Sequence, residues 1–395
     1  MRETAHENIC GYQFKAMRAR KALRTISPSA VVIRRNFLIG GVAVTLAGGS
    51  AAYAGLRQMG TMGEYEASAA ATRSLLSRQP DICNLFRYAT LAANGHNTQP
   101  WRFRIGERRI DILPDLTRRR PAVDPDDHHL LASLGCAAEN LSIAAGASGR
   151  PGEIAFDPAN VGAVSFEFDG ASIVSSSLFD AIPRRQSTRA EYDGRLVSAA
   201  DLRTLVTAAA MPGIDLILIT DRRQMDRVRD LVISGNSAQM ADAAFLRELK
   251  TWLRFSPRQA IETSDGLFSA TTGNPALPAW LGPLMFDMVF KADAENEKYA
   301  RQIQTSAGIA VFVGARNNKE HWMRAGRACQ RFALQATALG LKHAFINQPV
   351  EVASLRPDLA ALVGLPGRRP DIVMRFGYGP TLPYSVRRPV EAVLV

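Results

Sequence analysis

Two short runs of polar residues stand out for what their side chains are able to bind. Arg185, Ser187 and Arg189 alternate in sequence. An extended backbone turns all three to one face, presenting two guanidinium forks and a hydroxyl, a donor set matched to the oxygens of a phosphate. Arg387, in Arg387-Arg388-Pro389 near the C-terminus, offers a further cation. The run Asn97-Thr98-Gln99-Pro100-Trp101 is of another kind. The Asn97 amide, with Gln99 beside it, donates and accepts at once, which suits a planar heterocycle or a polyol chain better than a bare phosphate. An anion at one end and a hydrogen-bonding ring system at the other describe flavin mononucleotide (FMN).

The elements that must position these residues are legible as patterns. Periodic apolar residues Ile82, Leu85, Phe86, Tyr88, Ala89 and Ala92 predict a helix ending near Gly95, and the Asn97 loop separates it from a strand at 101–105. A turn at Gly106-Glu107 and a return strand at 110–113 follow, then a helix over 130–149 rich in Gly and Ala, then a strand at 165–168. The second part of the chain repeats this plan, with a helix at 199–210, a strand at 216–219, a small-residue helix at 324–339 and a strand at 372–376. Superposing Gly135 on Gly326 pairs Ala137 with Ala328, Leu141 with Phe332, Ala145 with Ala336 and Gly149 with Gly340 at one constant offset. A recurring order of elements with a fixed offset points to duplication.

The expected fold is therefore α+β, with two degenerate repeats at 80–172 and 173–395 fused into a pseudo-dimer. Residues 55–79 read as a polar linker. The second repeat carries a helical insertion at about 231–298, whose stripe of Phe245, Leu249, Trp252 and Phe255, with Trp280, Leu284, Met288 and Phe290 further on, is either core or a lid over a ligand pocket. Each repeat holds only one polar cluster. Met211-Pro212-Gly213-Ile214 stands where the first repeat has its Asn97 loop, and nothing like Arg-x-Ser-x-Arg precedes Ile82.

Charge and cysteines narrow the classes further. The net charge of +11 is concentrated at the N-terminus, where residues 1–36 carry +6, 37–54 carry none and the remainder carries +5, so no nucleic-acid partner is implied. Arg34-Arg35-Asn36-Phe37-Leu38, the uncharged run 37–54 and Ala52-Tyr53-Ala54 resemble a twin-arginine export signal over 1–54, which implies periplasmic or exported protein. An uncleaved membrane anchor at 37–54 is the alternative. Cys10, Cys83, Cys136 and Cys329 form no CxxC pair, and His128-His129, in a polar run after Asp124, reads as a solvated loop and not a metal site.

Leu91-Ala92-Ala93-Asn94-Gly95-His96-Asn97-Thr98-Gln99-Pro100-Trp101 resembles the flavin-contacting loop of nitroreductases, and Ile182-Pro183-Arg184-Arg185-Gln186-Ser187-Thr188-Arg189 resembles the phosphate-binding start of the same fold. Arg387-Arg388-Pro389 is similar to its end. The fused arrangement, with Leu116-Thr117-Arg118-Arg119 and Ala122-Val123-Asp124-Pro125, resembles the Acg family of nitroreductase-like FMN-binding proteins over about residues 80–395. Ala93-Asn94-Gly95 departs from the Pro-Ser-Ser that many nitroreductases have there. The resemblance implies that Arg185, Ser187, Arg189 and Arg387 hold the FMN phosphate while Asn97 and Gln99 lie at the ring. It also implies two-electron transfer from NAD(P)H or another redox partner through FMN to a small planar acceptor, with no protein acid or base required. The alternative within the same resemblance is a protein that holds FMN under a closed lid without turnover.

Overall fold

The computed structural model describes residues 58–159, 162–174 and 176–395; the export-signal reading of 1–54 lies outside the described residues. The first element corrects the linker expected at 55–79. It is a helix, α1 (Met62–Ser74), started by a capping box in which the Thr61 hydroxyl accepts from the Glu64 N–H at 3.1 Å and the Glu64 carboxylate accepts from the Thr61 N–H at 2.7 Å. Tyr65 and Ala69 on its inner face are buried.

α2 (Ile82–Thr90) leads through the Asn97 loop to β1 (Trp101–Ile105) and β2 (Arg109–Pro114), and α3 (His128–Ala147) is followed by β3 (Gly152–Asp157) and β4 (Ala163–Phe168). The second part of the chain opens with α4 (Ala199–Ala209) and β5 (Ile214–Ile219). Then come α5 (Arg222–Ala241), α6 (Ala243–Trp252), β6 (Leu253–Arg254), α7 (Pro257–Thr263), β7 (Leu267–Phe268), α8 (Gly282–Val289) and α9 (Ala292–Gln304). It closes with β8 (Gly308–Gly314), α10 (Lys319–Ala338), β9 (Lys342–Phe345), α11 (Gln348–Glu351), α12 (Arg356–Leu362) and β10 (Pro370–Gly377).

Two four-stranded antiparallel sheets result, in the orders β1-β2-β4-β3 and β5-β8-β10-β9. Replacing each strand of the first by its counterpart in the second reproduces the order, so both sheets share one connectivity. The insertion is longer than the expected 231–298. It fills the whole connection from β5 to β8, because Met225 and Val232 on α5 and Ile303 on α9 pack with Ile309, Val311 and Val313 on one face of β8. The alternate residues Ala310 and Phe312 enter a second apolar cluster with Phe332 and Phe376 on the other face. β8 is thus covered on both sides, and the ends of the insertion belong to the core.

Between the sheets α3 packs against α10, and all of α3 except Ser142 and Ala147 is buried. Glycine makes the approach close enough: a Cβ at Gly135 would strike the Met323 carbonyl, and one at Gly326 would strike the Ala132 carbonyl. The contact is reciprocal, since Ala132 and Met323 each lie three residues before the paired glycines, as two-fold related surfaces require.

Candidate functional site

The loop after α2 is the most strained stretch of backbone in the described residues. His96, Asn97 and Gln99 take φ values of 50°, 54° and 52°, in the left-handed region that non-glycine residues avoid. Hydrogen bonds from three directions hold it. Within the loop the Asn94 carboxamide oxygen accepts from the Gln99 N–H at 2.9 Å. From the insertion, the Gly266 N–H donates to the Asn97 carbonyl at 3.1 Å, while the Asn97 amide donates to the Gly266 carbonyl at 3.1 Å and the Gln99 amide to the Ser264 carbonyl at 2.8 Å. From the C-terminal tail, Arg387 donates to the Asn97 side-chain oxygen and the Arg388 N–H to the Gln99 side-chain oxygen, at 2.8 and 2.9 Å.

That clamp turns one side of the loop toward a cavity of about 440 Å³ and the other away from it. Ala93, Asn94, Gly95 and His96 line the cavity; Asn97 and Gln99 do not, and both are buried among their clamp partners. In this structure the two amides fix the loop and the two arginines of the tail.

The cationic residues separate into two groups. Arg189 is the member of the Arg-x-Ser-x-Arg run that lines the cavity, and its guanidinium has no hydrogen-bond or ion-pair partner among the described residues. Burial pushes its pKa down, against the opposing influence of Tyr299 and Tyr192. Arg120 reaches the same cavity, is buried and has no hydrogen-bond or ion-pair partner for its guanidinium among the described residues; only glycine at 95 leaves room for it. His96 stands near both. Its Nδ1 is buried without a partner, and burial first, then Arg120 and Arg189, hold its pKa well below the usual histidine value. The ring is therefore neutral at pH 7.

Arg185 and Arg387 lie outside the cavity wall, at the C-terminal end of α2. Arg387 Nε donates to the Thr90 carbonyl at 2.8 Å and Arg185 Nη2 to the Leu91 carbonyl at 3.2 Å, which satisfies carbonyls that a helix end leaves open. Arg185 keeps Nε and Nη1 buried without partners and lies near the Cys136 and Cys329 thiols, which do line the cavity. Burial, then repulsion from Arg185 and Arg73, brings the Arg387 pKa down to about 9, and burial brings Arg73 to about 10. Arg73 belongs to α1, in the stretch read as linker, so the sequence reading missed it together with Arg120 and His96. Ser187 is half-buried, forms an isolated bridge with His343 and does not line the cavity.

His128 and His129 are not in a solvated loop. They form the buried first turn of α3, because Asp124 accepts the N–H groups of His129 and Leu130 at 2.9 Å each and so starts the helix. His128 Nε2 pairs with the Asp371 carboxylate at 2.8 Å and His129 Nε2 meets the Asp371 carbonyl at 3.2 Å. Asp124, His128 and His129 bring ligand-type atoms within 4.8 Å of one another, and the two histidines' contacts with Asp371 tie α3 to β10.

A family model described as "Nitroreductase family" matches residues 182–379, half of the chain. The chain belongs to the nitroreductase family. Two Mycobacterium tuberculosis relatives carry the name "Putative NAD(P)H nitroreductase". The one designated Rv3131 is 26% identical over 338 residues, covering 80% of this chain and 92% of its own. The other, acg, is 25% identical over 328 residues, covering 79% of this chain and 94% of its own. Among solved structures, a nitroreductase with bound FMN from Desulfitobacterium hafniense aligns with a TM-score of 0.36 and 14% identity over 54% of this chain and 96% of that one. The nitroreductase model begins at Ile182 and ends at Gly379, so it takes in the Arg-x-Ser-x-Arg run, while the Asn97 loop, Arg120 and Arg387 lie outside it.

Proposed function

We propose that this nitroreductase is a two-electron FMN oxidoreductase that accepts electrons from NAD(P)H, or from another donor, and passes them to an acceptor in the cavity between the repeats. The observation that carries the reading is a set of guanidinia with no carboxylate partner among the described residues: half-buried Arg189 in the cavity, and buried Arg185 and Arg387 with half-buried Arg73 around it. Buried like charges are costly unless a counter-charge joins them, and a phosphate with its three oxygens supplies one. The residues present fit FMN on this count. Arg189, which lines the cavity, would hold the phosphate end, with Ser187 beside it in the run and Arg185 and Arg387 as cations behind the wall, and the cavity volume falls within the range of ordinary cofactor and ligand sites.

FMN, when bound, supplies the two-electron carrier, so the chain needs no nucleophile or acid–base pair of its own. The protein's part is positional. The clamp on the Asn97 loop fixes the backbone from Ala93 to His96 at the cavity wall, neutral His96 offers a hydrogen bond without adding charge, and Phe245, Phe255 and Phe286 of the insertion exclude water. Support for NAD(P)H comes from the names of the M. tuberculosis relatives. We also read the two sheets of like order as a fused pair of repeats at 80–172 and 173–395.

The test is anaerobic rapid mixing of flavin-loaded protein with NADPH, with NADH and with dithionite, followed by reoxidation with quinones or nitroaromatics. Bleaching of the flavin band by a nicotinamide and recovery on acceptor addition is the expected result. Reduction by dithionite alone would contradict the nicotinamide-driven enzyme and favour the second reading, FMN held beneath the aromatic residues that the insertion contributes to the cavity.

A further inference from the structure

The helix α8 is apolar on both of its faces. Of residues 281–290 the single charged one is Asp287. Met285, Phe286 and Val289, with Phe290 just beyond the helix, line the cavity, and the Phe286 and Phe290 rings stack at 4.3 Å to make a flat piece of wall. On the outside, Trp280, Leu284 and Met288 are spaced four residues apart and are 67%, 59% and 63% exposed. A surface helix ordinarily pairs an apolar stripe with a polar one, and an apolar patch left facing water marks a binding surface. Val289 belongs to both sets: it lines the cavity and is 62% exposed. Among the described side chains of this helix, the apolar wall therefore runs from inside the cavity to the outer surface.

Apart from the Arg189 assigned to phosphate, the cavity lining offers the Arg120 guanidinium and the neutral His96 ring as hydrogen-bonding groups. A ligand matching these groups and the apolar wall has a flat head with hydrogen-bond-accepting oxygens and a long apolar tail. We infer that the acceptor is a lipophilic, long-tailed quinone, its ring in the cavity and its tail lying along α8 toward Leu284 and Met288. The inference rests on the oxidoreductase reading and adds an apolar tail to the small planar acceptor expected from sequence. The reaction balances as NAD(P)H plus a proton plus quinone giving NAD(P)⁺ plus hydroquinone. The quinone gains two electrons and two protons, one proton arriving with the hydride and one from solvent.

The experiment uses flavin-loaded protein and a series of quinones with one ring and tails of zero, one, two and four isoprene units. Two quantities are read: the dissociation constant, from quenching of tryptophan emission without any reductant, and KM during turnover with NADPH. In the wild type both should fall by about tenfold or more as the tail grows from zero to two units, since each buried methylene adds to binding. In Leu284→Glu and Met288→Glu the gain with tail length should shrink severalfold while the tailless quinone binds and turns over as before. A tail-independent dissociation constant in the wild type overturns the inference and leaves the oxidoreductase reading standing. Failure of every quinone to be reduced, with tail-dependent binding intact, supports the tail site and counts against the reaction instead. If sedimentation shows that wild-type chains self-associate through this face, and the glutamate variants become monomeric with tail dependence unchanged, the face is a dimer contact and the inference is wrong.

Discussion

Asn97 joins three parts of the chain. Its side-chain oxygen accepts from Arg387 Nη1, its amide ties down Gly266 and Val386, and its own backbone sits in the left-handed region. If Arg387 holds phosphate, Asn97→Ala weakens FMN binding only by freeing Arg387. Arg387→Ala should cost about ten- to a hundredfold in affinity, the worth of a charge-assisted contact, and Asn97→Ala should cost less. Fluorescence titration of the double variant should then match Arg387→Ala alone. Independent, multiplying losses would mean that Asn97 touches the flavin itself. Arg189, the cavity-lining member of its run, was legible from alternating residue types. That Asn97 and Gln99 face away from the cavity was not, because the direction of a loop side chain depends on partners 165 and 289 residues further along the chain.

At the scale of elements, the Asp265 carboxylate is one of several ties that hold the insertion to the first part of the chain, beside the hydrogen bonds from the Asn97 loop to Gly266 and Ser264. Asp265, buried beside β7, pairs with Arg118 from the first repeat and at 2.6 Å with Arg254 from β6. Removing one side of a buried charge pair leaves its partner unsatisfied and costs about 3–5 kcal/mol. Asp265→Ala should therefore loosen the segment from α6 to α8. Limited proteolysis should cut there at least severalfold faster than in the wild type, while the sheets remain protected. Unchanged cleavage would show that this tie does not hold the segment. The same scale shows what sequence patterning reached. Strand and helix positions followed from periodicity, and the small-residue helices were paired by the glycines that set their crossing. α1 was missed although Thr61-x-x-Glu64 is a capping-box signature, since a polar, Ala-rich face looks like linker until a partner such as Phe268 buries Tyr65 at 4.5 Å between rings. The His128-His129 turn was misread for a related reason: its burial comes from Asp371 on β10, more than 240 residues away.

For the whole molecule, two sheets of one order meet through a reciprocal glycine contact, yet the chemistry is one-sided. The Asn97 loop exists only in the first repeat, whereas its counterpart is a tight turn closed by an isolated bridge between Met211 and Ile214. The Arg-x-Ser-x-Arg run exists only in the second. A symmetric pair of chains would build two sites; this chain retains the parts of one. The most direct test is the stoichiometry of FMN uptake by flavin-free protein, followed by calorimetry together with sedimentation to fix the mass of the binding species. The account predicts one FMN per single chain, with riboflavin, which lacks the phosphate, bound at least about tenfold more weakly. Two FMN per chain, one FMN shared by two chains, no uptake at all, or equal affinity for riboflavin and FMN would contradict it.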